Sequence, residues 1–544
     1  MIFFKITKKI INFLFFKGYG VKNYPKEFKY IIGYCKKKLS ENQNFKIYKN
    51  LNQQKQIVKL ASKKIKLNIN NFDFNFSDNE DKGYLHRWSW FLNQKNNKLE
   101  KKFIESFINN WIYKYGFRTF NIRNIEWYPY NISERLANYA IFCEYKIIDK
   151  NSEILKILSK QLYFLTLNIE IYKDKMSNHA LNNARAIFLF SCILNDTHLQ
   201  SFSRKLILYL CERYIDKNGF FRFGSSHYQF IFTRWILEIY YFMSIYDNKN
   251  SILIKKYLNK TINACNFFLI KSGKNYSFPF FGNLSPDYTP DFSIYYIQDY
   301  LKKEKKKSIS SKEWIKFQNK NQTIFFRNPM INKFDFNHAH SDFFHFVNYY
   351  KGIPIFTDLG RKNYQSLNKK YILGMSHNSI LINGRGIYDD FIDNNILNRL
   401  GFKQLNKETY YFKKNKNKIK FISKITNKYL IKRIFEIKLD KFYIKDFISS
   451  KNEIGKIEIP FFIDQNIQIT KIDYKNYFLK SKNIKAKLSI KSREKNISIK
   501  LDSSDKLGLA QCVSYGSEQK NKFLKIECFS KKSFNSCIKI EYLK

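Results

Sequence analysis

The feature that most constrains the fold is a change in the spacing of apolar residues partway along the 544-residue chain. From about Gly83 to Lys303, apolar residues recur every three or four positions, which is the period of amphipathic helices. After about Gln322 the apolar stretches are short, rich in β-branched and aromatic residues, and often alternate with polar ones, as strands do. The sequence therefore predicts a helical domain followed by an antiparallel β domain.

Helical periodicity is clearest in seven segments joined by short connections: 101–117, 133–148, 152–169, 179–194, 201–215, 233–246 and 251–270. Ser133 and Ser152 are the predicted N-caps of two of them. Successive helical hairpins favour closure into an incomplete α/α barrel, also called an α/α toroid. We therefore expect a mixed helical lead-in over 1–80, an α/α toroid over 81–305 and an antiparallel β-sandwich over 306–544.

The charge of the chain bears on its partners. Formal net charge is +52, from 97 basic and 45 acidic residues, which indicates a polyanion such as an acidic polysaccharide, a nucleic acid or a membrane surface. A bias toward AT-rich codons is the alternative, because Lys, Asn, Ile, Phe and Tyr are all frequent. We see no nucleic-acid-binding motif and no uninterrupted apolar run of membrane-span length. We therefore expect neither a nucleic-acid partner nor an integral membrane segment.

Histidines are concentrated in one part of the β domain. Of the eight in the chain, His338, His340 and His345 lie close together and His377 follows. His340, Asp358 and His377 are spaced so that three strands could present them to one point, and two imidazoles with a carboxylate suit Zn²⁺. A strand with solvated histidines is the alternative for the His-x-His pair alone. His345 is expected to be structural.

Two predicted helix starts in the helical domain carry residues with catalytic potential. Asn178, His179 and Asn182 lie near a helix N-terminus, which favours an anionic ligand group. Tyr228 follows a Gly-Ser-Ser-His run that enters another helix, and could transfer protons if nearby positive charge lowers its pKa. Helix capping and core packing are the alternatives for both segments.

A third segment of interest, 126–138, combines aromatic and polar residues. Trp127 and Tyr130 beside Arg135 could form a sugar-stacking wall with polar handles, and core packing is the alternative. Arginines such as Arg185 are better bidentate partners for carboxylate or sulfate than the far more frequent lysines.

Taken in chain order, these motifs resemble the heparinase II/III family of polysaccharide lyases. The segments His338-Ala-His-Ser-Asp, Thr357-Asp-Leu-Gly and Ser376-His-Asn-Ser resemble the signature of the family's C-terminal β domain. The Asn-His pair at 178–179, the Ser-Ser-His-Tyr run at 225–228 and the aromatic segment at 126–138 resemble its α/α-toroid domain. The resemblance covers roughly residues 84–400 by motif and extends to the C-terminus by strand pattern.

The resemblance implies specific roles. Tyr228 would be the catalytic base and acid, His179 with Asn178 or Asn182 would contact a uronate carboxylate, and His338 would complete the catalytic set. A structural zinc would be held by His340, Asp358 and His377. Further substrate contacts would come from six residues: Asn182, Trp127, Tyr130, Arg135, Arg185 and His227. Family members differ in using Asn or Glu to neutralise the carboxylate. No Glu occurs in 178–186, so the choice between Asn178 and Asn182 stays open.

The implied function is a lyase that cleaves a uronic-acid-containing acidic polysaccharide, such as a glycosaminoglycan, by β-elimination. A non-catalytic glycan-binding or surface-polysaccharide assembly protein that has kept the lyase fold is the alternative. The family suggests a bacterial cell envelope or periplasmic location. No cleavable signal peptide is visible in the sequence, so a cytoplasmic location stays open as the alternative. Zinc is the only cofactor expected.

Overall fold

A computed structural model describes residues 29–41, 55–62, 64–69, 76, 78–92, 100–171, 177–273, 275–303, 309, 311, 313–328, 338–387, 389, 409–415, 418–425, 429–494 and 496–543. The chain forms two compact units. The first lies within Met1–Arg222, Tyr228–Asn266 and Ser285–Lys307, and the second within Phe223–His227, Phe267–Leu284 and Ser308–Lys544. Most of the predicted lead-in, 1–80, lies outside the described residues.

The first unit is built mainly from helices. In chain order they are α1 (Tyr30–Ser40), α2 (Asn79–Arg87), α3 (Lys101–Tyr115), α4 (Pro129–Glu144), α5 (Ser152–Leu167), α6 (Asn178–Leu194), α7 (Thr197–Tyr214), α8 (Ser226–Tyr246), α9 (Asn248–Phe268) and α10 (Pro290–Lys303). A two-stranded sheet, β1 (Lys55–Lys59) with β2 (Lys64–Asn68), precedes α2.

Local chemistry explains where several of these helices begin. The side chain of Asp196 accepts a hydrogen bond from Leu199 N in the first turn of α7, and Asp78 does the same for Glu80 N in α2. Helix α6 ends at Leu194 and is capped by Asn195, which adopts a left-handed conformation with φ of 56°.

Both predicted N-caps are wrong. Helix α4 begins at Pro129, whose fixed φ suits a first helical turn, so Ser133 lies inside the helix and its hydroxyl donates to Pro129 O at 2.8 Å. Helix α5 is capped by Asn151, whose side chain accepts from Glu153 N and Ile154 N. Ser152 is therefore the first helical residue rather than the cap.

The second unit consists mainly of antiparallel strands. A short hairpin pairs β3 (Ile270–Ser272) with β4 (Asn275–Ser277). A four-stranded sheet has the order β5-β6-β7-β8, formed by Trp314–Gln318, Gln322–Arg327, Phe346–Tyr350 and Ile353–Phe356. A second four-stranded sheet has the order β18-β19-β14-β9, formed by Ser498–Ser503, Lys522–Ser530, Gly455–Phe462 and Leu381–Ile382.

The largest sheet has eight strands in the order β10-β11-β12-β13-β20-β17-β16-β15. In that order the strands are Thr409–Asn415, Lys418–Ile425, Tyr429–Ile437, Lys441–Ser450, Ser533–Leu543, Ile484–Ser492, Asn476–Ser481 and Gln468–Lys471. Residues of β20 and β17 alternate between buried and more exposed positions, so each strand presents one apolar face to the core. That core includes residues of all three larger sheets, among them Phe326, Phe346, Phe435 and Ile526.

The helical first unit and the antiparallel second unit confirm the predicted fold class, an α/α toroid followed by a β-sandwich. Within the described residues, no helix is both long enough and apolar enough to span a membrane. All eight cysteines are free, and seven are buried.

The domain limits 80/81 and 305/306 stay predictions. Segments 223–227 and 267–284 pack with the second unit, although they come from the helical half of the sequence.

Candidate active site and metal centre

In the first unit, the start of α6 carries the predicted carboxylate-contacting pair. Asn178 is the first helical residue, is 6% exposed, and follows Ser177, which forms no side-chain cap. The side chain of His179 is 29% exposed, and its Nδ1 lies 3.0 Å from Glu170 Oε1. Because Glu170 is buried, its carboxylate fixes the orientation of the His179 ring and directs Nε2 away from it.

Aromatic rings at the start of α4 lie beside His179. The Tyr130 ring lies 4.6 Å from the His179 ring, and its hydroxyl donates to Asp287 Oδ2 at 2.8 Å. Burial and then the Asp287 carboxylate raise the pKa of Tyr130 well above its ordinary value, and Tyr228 adds to the effect. Tyr228 lies in the same unit, near the start of α8. Residues of α4 and α6 thus come together in the first unit, and a shared site with Tyr228 stays a prediction.

Asn182 and Arg185, one turn further along α6, are fully buried. Arg185 Nη1 donates to Glu134 Oε1 at 2.9 Å, and its Nε donates to Glu238 Oε2. Asn182 Oδ1 accepts from Arg185. The guanidinium is therefore occupied by two buried carboxylates, and a substrate contact by Arg185 or Asn182 stays a prediction.

Trp127 and Arg135 are also fully buried. The Arg135 guanidinium lies 4.3 Å from the Trp111 ring and 5.7 Å from the Trp127 ring, and it donates to the backbone oxygens of His86 and Glu126. Burial lowers the pKa of Arg135 to about 9. These are the contacts of core residues, and sugar stacking by Trp127 stays a prediction.

In the second unit, His227 and His338 occupy different environments. His227 is 1% exposed, packs 5.7 Å from the Phe278 ring, and has its pKa lowered to about 3 by burial. His338 is 8% exposed, and its Nδ1 lies 3.4 Å from Asn283 Nδ2. The Asn283 backbone N–H donates to His338 O at 2.7 Å, so His338 is held at both its backbone and its ring.

His340, Asp358 and His377 come together as the sequence predicts for a metal site. Each is fully buried, and each offers one ligand atom within 4.8 Å of the other two. Asp358 Oδ1 accepts from Gly360 N at 2.7 Å, while Oδ2 lies 2.9 Å from His377 Nδ1. Burial favours the neutral carboxyl group, but the facing imidazoles outweigh it and lower the pKa of Asp358.

His345 supports this cluster from one side. Its Nδ1 accepts the Asn378 backbone N–H at 2.9 Å, so the proton of the neutral ring lies on Nε2. Nε2 in turn lies 2.9 Å from Asp358 Oδ2. The His345 ring therefore faces the Asp358 carboxylate, and the structural role expected of His345 stays a prediction.

The chemistry of this donor set suits a zinc ion. Burial lowers the pKa of His340 well below its ordinary value, and a neutral imidazole is the form that binds metals. His340 Nδ1 and His377 Nε2 are buried and have no hydrogen-bond partner among the described residues. Two imidazole nitrogens without partners beside an ionised carboxylate match the composition of a tetrahedral zinc site with one further ligand.

Three residues of these clusters were missed from the sequence: Glu170, Asn283 and Asp287. Glu170 is the only carboxylate in the apolar stretch 165–172, which is a usable signal because isolated buried charges are rarely without a partner. Asn283 and Asp287 follow Gly282 in a loop with turn composition. Nothing in that loop's sequence identifies its partners.

No protein-family model matches the sequence, and no curated protein matches it. A heparinase III structure matches 87% of this chain and 79% of its own chain, with a TM-score of 0.63 and 14% identity. A second heparinase III structure matches 95% and 84%, with a TM-score of 0.58 and 12% identity. The heparan sulfate lyase HepC from Pedobacter heparinus matches 96% and 84%, with a TM-score of 0.54 and 13% identity. The chain therefore has a heparinase III-like fold, as the motifs predicted.

Proposed function

We propose that this chain, with its heparinase III-like fold, is a polysaccharide lyase that cleaves a uronic-acid-containing acidic polysaccharide by β-elimination. The observation that supports the proposal is the 4.6 Å contact between the Tyr130 ring and the ring of His179, which follows Asn178 at the start of α6. These residues supply amide, imidazole and phenol groups, and Tyr228 near the start of α8 supplies a second phenol in the same unit. The similar solved structures include a heparinase III and a heparan sulfate lyase, which supports the same class of substrate.

The chemistry requires these kinds of groups. Elimination removes the proton at C5 of the uronate, and the electrons of that C–H bond form a double bond between C4 and C5 as the bond from C4 to the bridging oxygen breaks. The C5 proton is weakly acidic while the adjacent carboxylate carries its full charge. Asn178 and His179, donating to that carboxylate, would stabilise the enolate-like intermediate. The reaction consumes no water.

Tyr228 would move the proton. As the phenolate it would accept the C5 proton, and as the phenol it would return a proton to the departing oxygen. A catalytic role for His338, which lies in the second unit, stays a prediction. Glu170 orients the His179 ring through the 3.0 Å contact with Nδ1, which leaves Nε2 for the substrate.

A zinc ion is part of the proposal, held by His340, Asp358 and His377. Bound there, it would supply structural cross-linking of loops in the second unit and no reaction chemistry. The charge of +52 would attract an anionic polymer, and the association rate should fall as salt rises.

The test is an assay for unsaturated uronate. The full chain is incubated with a panel of uronate polysaccharides, and the ultraviolet absorbance of the unsaturated product is followed. Tyr228→Phe should abolish the signal, whereas Tyr295→Phe, at an exposed tyrosine of α10, should leave it unchanged.

Other outcomes would reject the proposal. Full activity of the Tyr228→Phe variant would remove Tyr228 from the mechanism. Binding of a polysaccharide with no elimination by the unmodified chain would favour the non-catalytic glycan-binding or assembly role. Saturated products would indicate a hydrolase.

A further inference from the structure

We propose that Asn283 is a positioning residue that sets the tautomers of His338 and His340 in the second unit. Its side chain lies between the two rings, with Nδ2 3.4 Å from His338 Nδ1 and Oδ1 3.0 Å from His340 Nε2. One carboxamide has a donor end and an acceptor end. It therefore imposes opposite hydrogen-bonding roles on the two imidazoles.

The orientation of the carboxamide is fixed by Arg361. Arg361 Nη1 lies 2.9 Å from Asn283 Oδ1. A guanidinium has only donors, so the amide atom that faces it must be the oxygen. The Arg361 side chain is itself held, because its Nε donates to Asn363 O at 3.0 Å and its guanidinium lies 4.5 Å from the Tyr364 ring.

For His340, the consequence is a lone pair on Nδ1. Because Asn283 Oδ1 can only accept, His340 Nε2 must carry the ring proton and donate. Nδ1 is then unprotonated, and it is buried without a partner among the described residues. An unprotonated, buried imidazole nitrogen is the form that a metal ion requires. Asn283 thus prepares His340 to bind through Nδ1.

For His338, the consequence is a proton on Nε2. The Asn283 amide N–H faces Nδ1, so Nδ1 accepts and Nε2 carries the proton of the neutral ring. His338 would then act toward a substrate as a hydrogen-bond donor rather than as a base. This role rests on the proposed function, and it leaves Tyr228 as the group that takes the C5 proton.

The backbone around Asn283 is built to hold this contact. Asn283 N donates to His338 O, and Ser225 Oγ donates to Asn283 O at 2.8 Å. Gly282 has φ of +74°, and a Cβ at that position would lie 2.3 Å from His338 O. Only glycine allows the loop to approach His338 so closely. The amide is therefore positioned before any ligand binds.

Two substitutions of Asn283 separate its two functions. Asn283→Asp keeps acceptors for Arg361 and His340 but removes the donor to His338. Asn283→Leu removes both. Asn452→Asp, at an exposed position of the same unit, is the matched control. The tautomers are read from long-range ¹H–¹⁵N spectra of the full chain labelled at histidine.

The expected results differ between the variants. Asn283→Asp should move the His338 proton to Nδ1 and leave His340 protonated at Nε2. Asn283→Leu should remove the preference at both rings. It should also lower Zn²⁺ affinity about 10- to 100-fold in competition with a chromophoric chelator, as loss of a group that orients a metal ligand does. The control should change neither ring.

The proposal would be overturned if the His338 tautomer were the same in Asn283→Asp and in the unmodified chain. Asn283→Asp is nearly isosteric, so this comparison remains available if Asn283→Leu fails to fold. Neither the spectra nor the zinc competition needs a substrate. A chain that shows the tautomer change without eliminating any polysaccharide would keep the role of Asn283 and reject the lyase function.

Discussion

The buried ion network of the first unit gives the sharpest prediction about stability. Arg185 is fully buried between two carboxylates, Glu134 and Glu238. Glu238 has a second partner, since Arg234 Nε lies 2.7 Å from its Oε1. Glu134 has no such second ion pair within 4 Å among the described residues. It keeps only neutral hydrogen-bond donors, one of them the Tyr288 hydroxyl at 3.2 Å.

Replacing Arg185 with Met should therefore leave Glu134 as a buried charge without its ion-pair partner. Burial favours protonation of Glu134, and Arg185 is the first of the arginines that outweigh it and lower its pKa. Removing one partner of a buried ion pair costs about 3–5 kcal/mol. A further Glu134→Gln substitution removes the stranded charge and should recover about 2 kcal/mol of that loss.

The assay is urea unfolding followed by tryptophan fluorescence. Five of the six tryptophans lie in the first unit, so the signal reports mainly on the unit that contains Arg185. Lys156→Met is the control, because it breaks a solvent-exposed pair with Glu153 at 2.7 Å and should cost under about 1 kcal/mol. The reasoning is refuted if Arg185→Met costs no more than the control, or if adding Glu134→Gln destabilises the protein further.

Three other predictions concern single side chains. Purified protein should contain about one zinc per chain. His377→Ala should lower zinc affinity by more than about 100-fold and also lower Tm, while His198→Ala at an exposed position should do neither, as metal analysis and thermal denaturation would show. Glu170→Gln should reduce kcat/KM for elimination about 10-fold, because a charge-assisted hydrogen bond to His179 is lost. Burial lowers the pKa of His86 well below 6.5 in the folded state. The unfolded chain alone therefore takes up this proton below pH 6.5, and stability should fall by up to about 1.4 kcal/mol per pH unit. His86→Asn should reduce that slope in unfolding measured between pH 7 and pH 5.

The change in the spacing of apolar residues identified the fold class. A helix or strand that buries one face carries apolar residues at a period set by its geometry, and that period can be read directly from the sequence. Predicted helices such as 152–169 and 179–194 differ from the observed α5 and α6 by at most two residues at either end. The caps were harder to predict. Ser133 and Ser152 have suitable side chains, but a proline four residues earlier and an asparagine one residue earlier determine where those helices begin.

The sequence predicted those parts of the candidate site that depend on residue type, such as the identity of metal ligands. Two imidazoles and a carboxylate in the β domain indicated a metal site, and the structure brings the three side chains together. The predicted presentation by three strands is wrong, because His340, Asp358 and His377 all lie in connections outside the strands. Partners distant in sequence were not predictable. Asn283 lies 55 residues from His338, and its segment, 267–284, packs with the second unit although the helical half of the sequence surrounds it.

The clustered histidines of the second unit differ in their fixed neighbours rather than in their own chemistry. Asn283 donates to Nδ1 of His338, which leaves the His338 proton on Nε2. Asn283 accepts from Nε2 of His340, which requires the His340 proton on Nε2. A backbone N–H bonded to Nδ1 places the proton of His345 on Nε2 as well, facing Asp358. The same tautomer thus has three different consequences: a proposed donor to substrate, a nitrogen prepared for a metal ion, and a support for a carboxylate. Changing one of these neighbours should therefore alter the role of one ring while the others keep theirs.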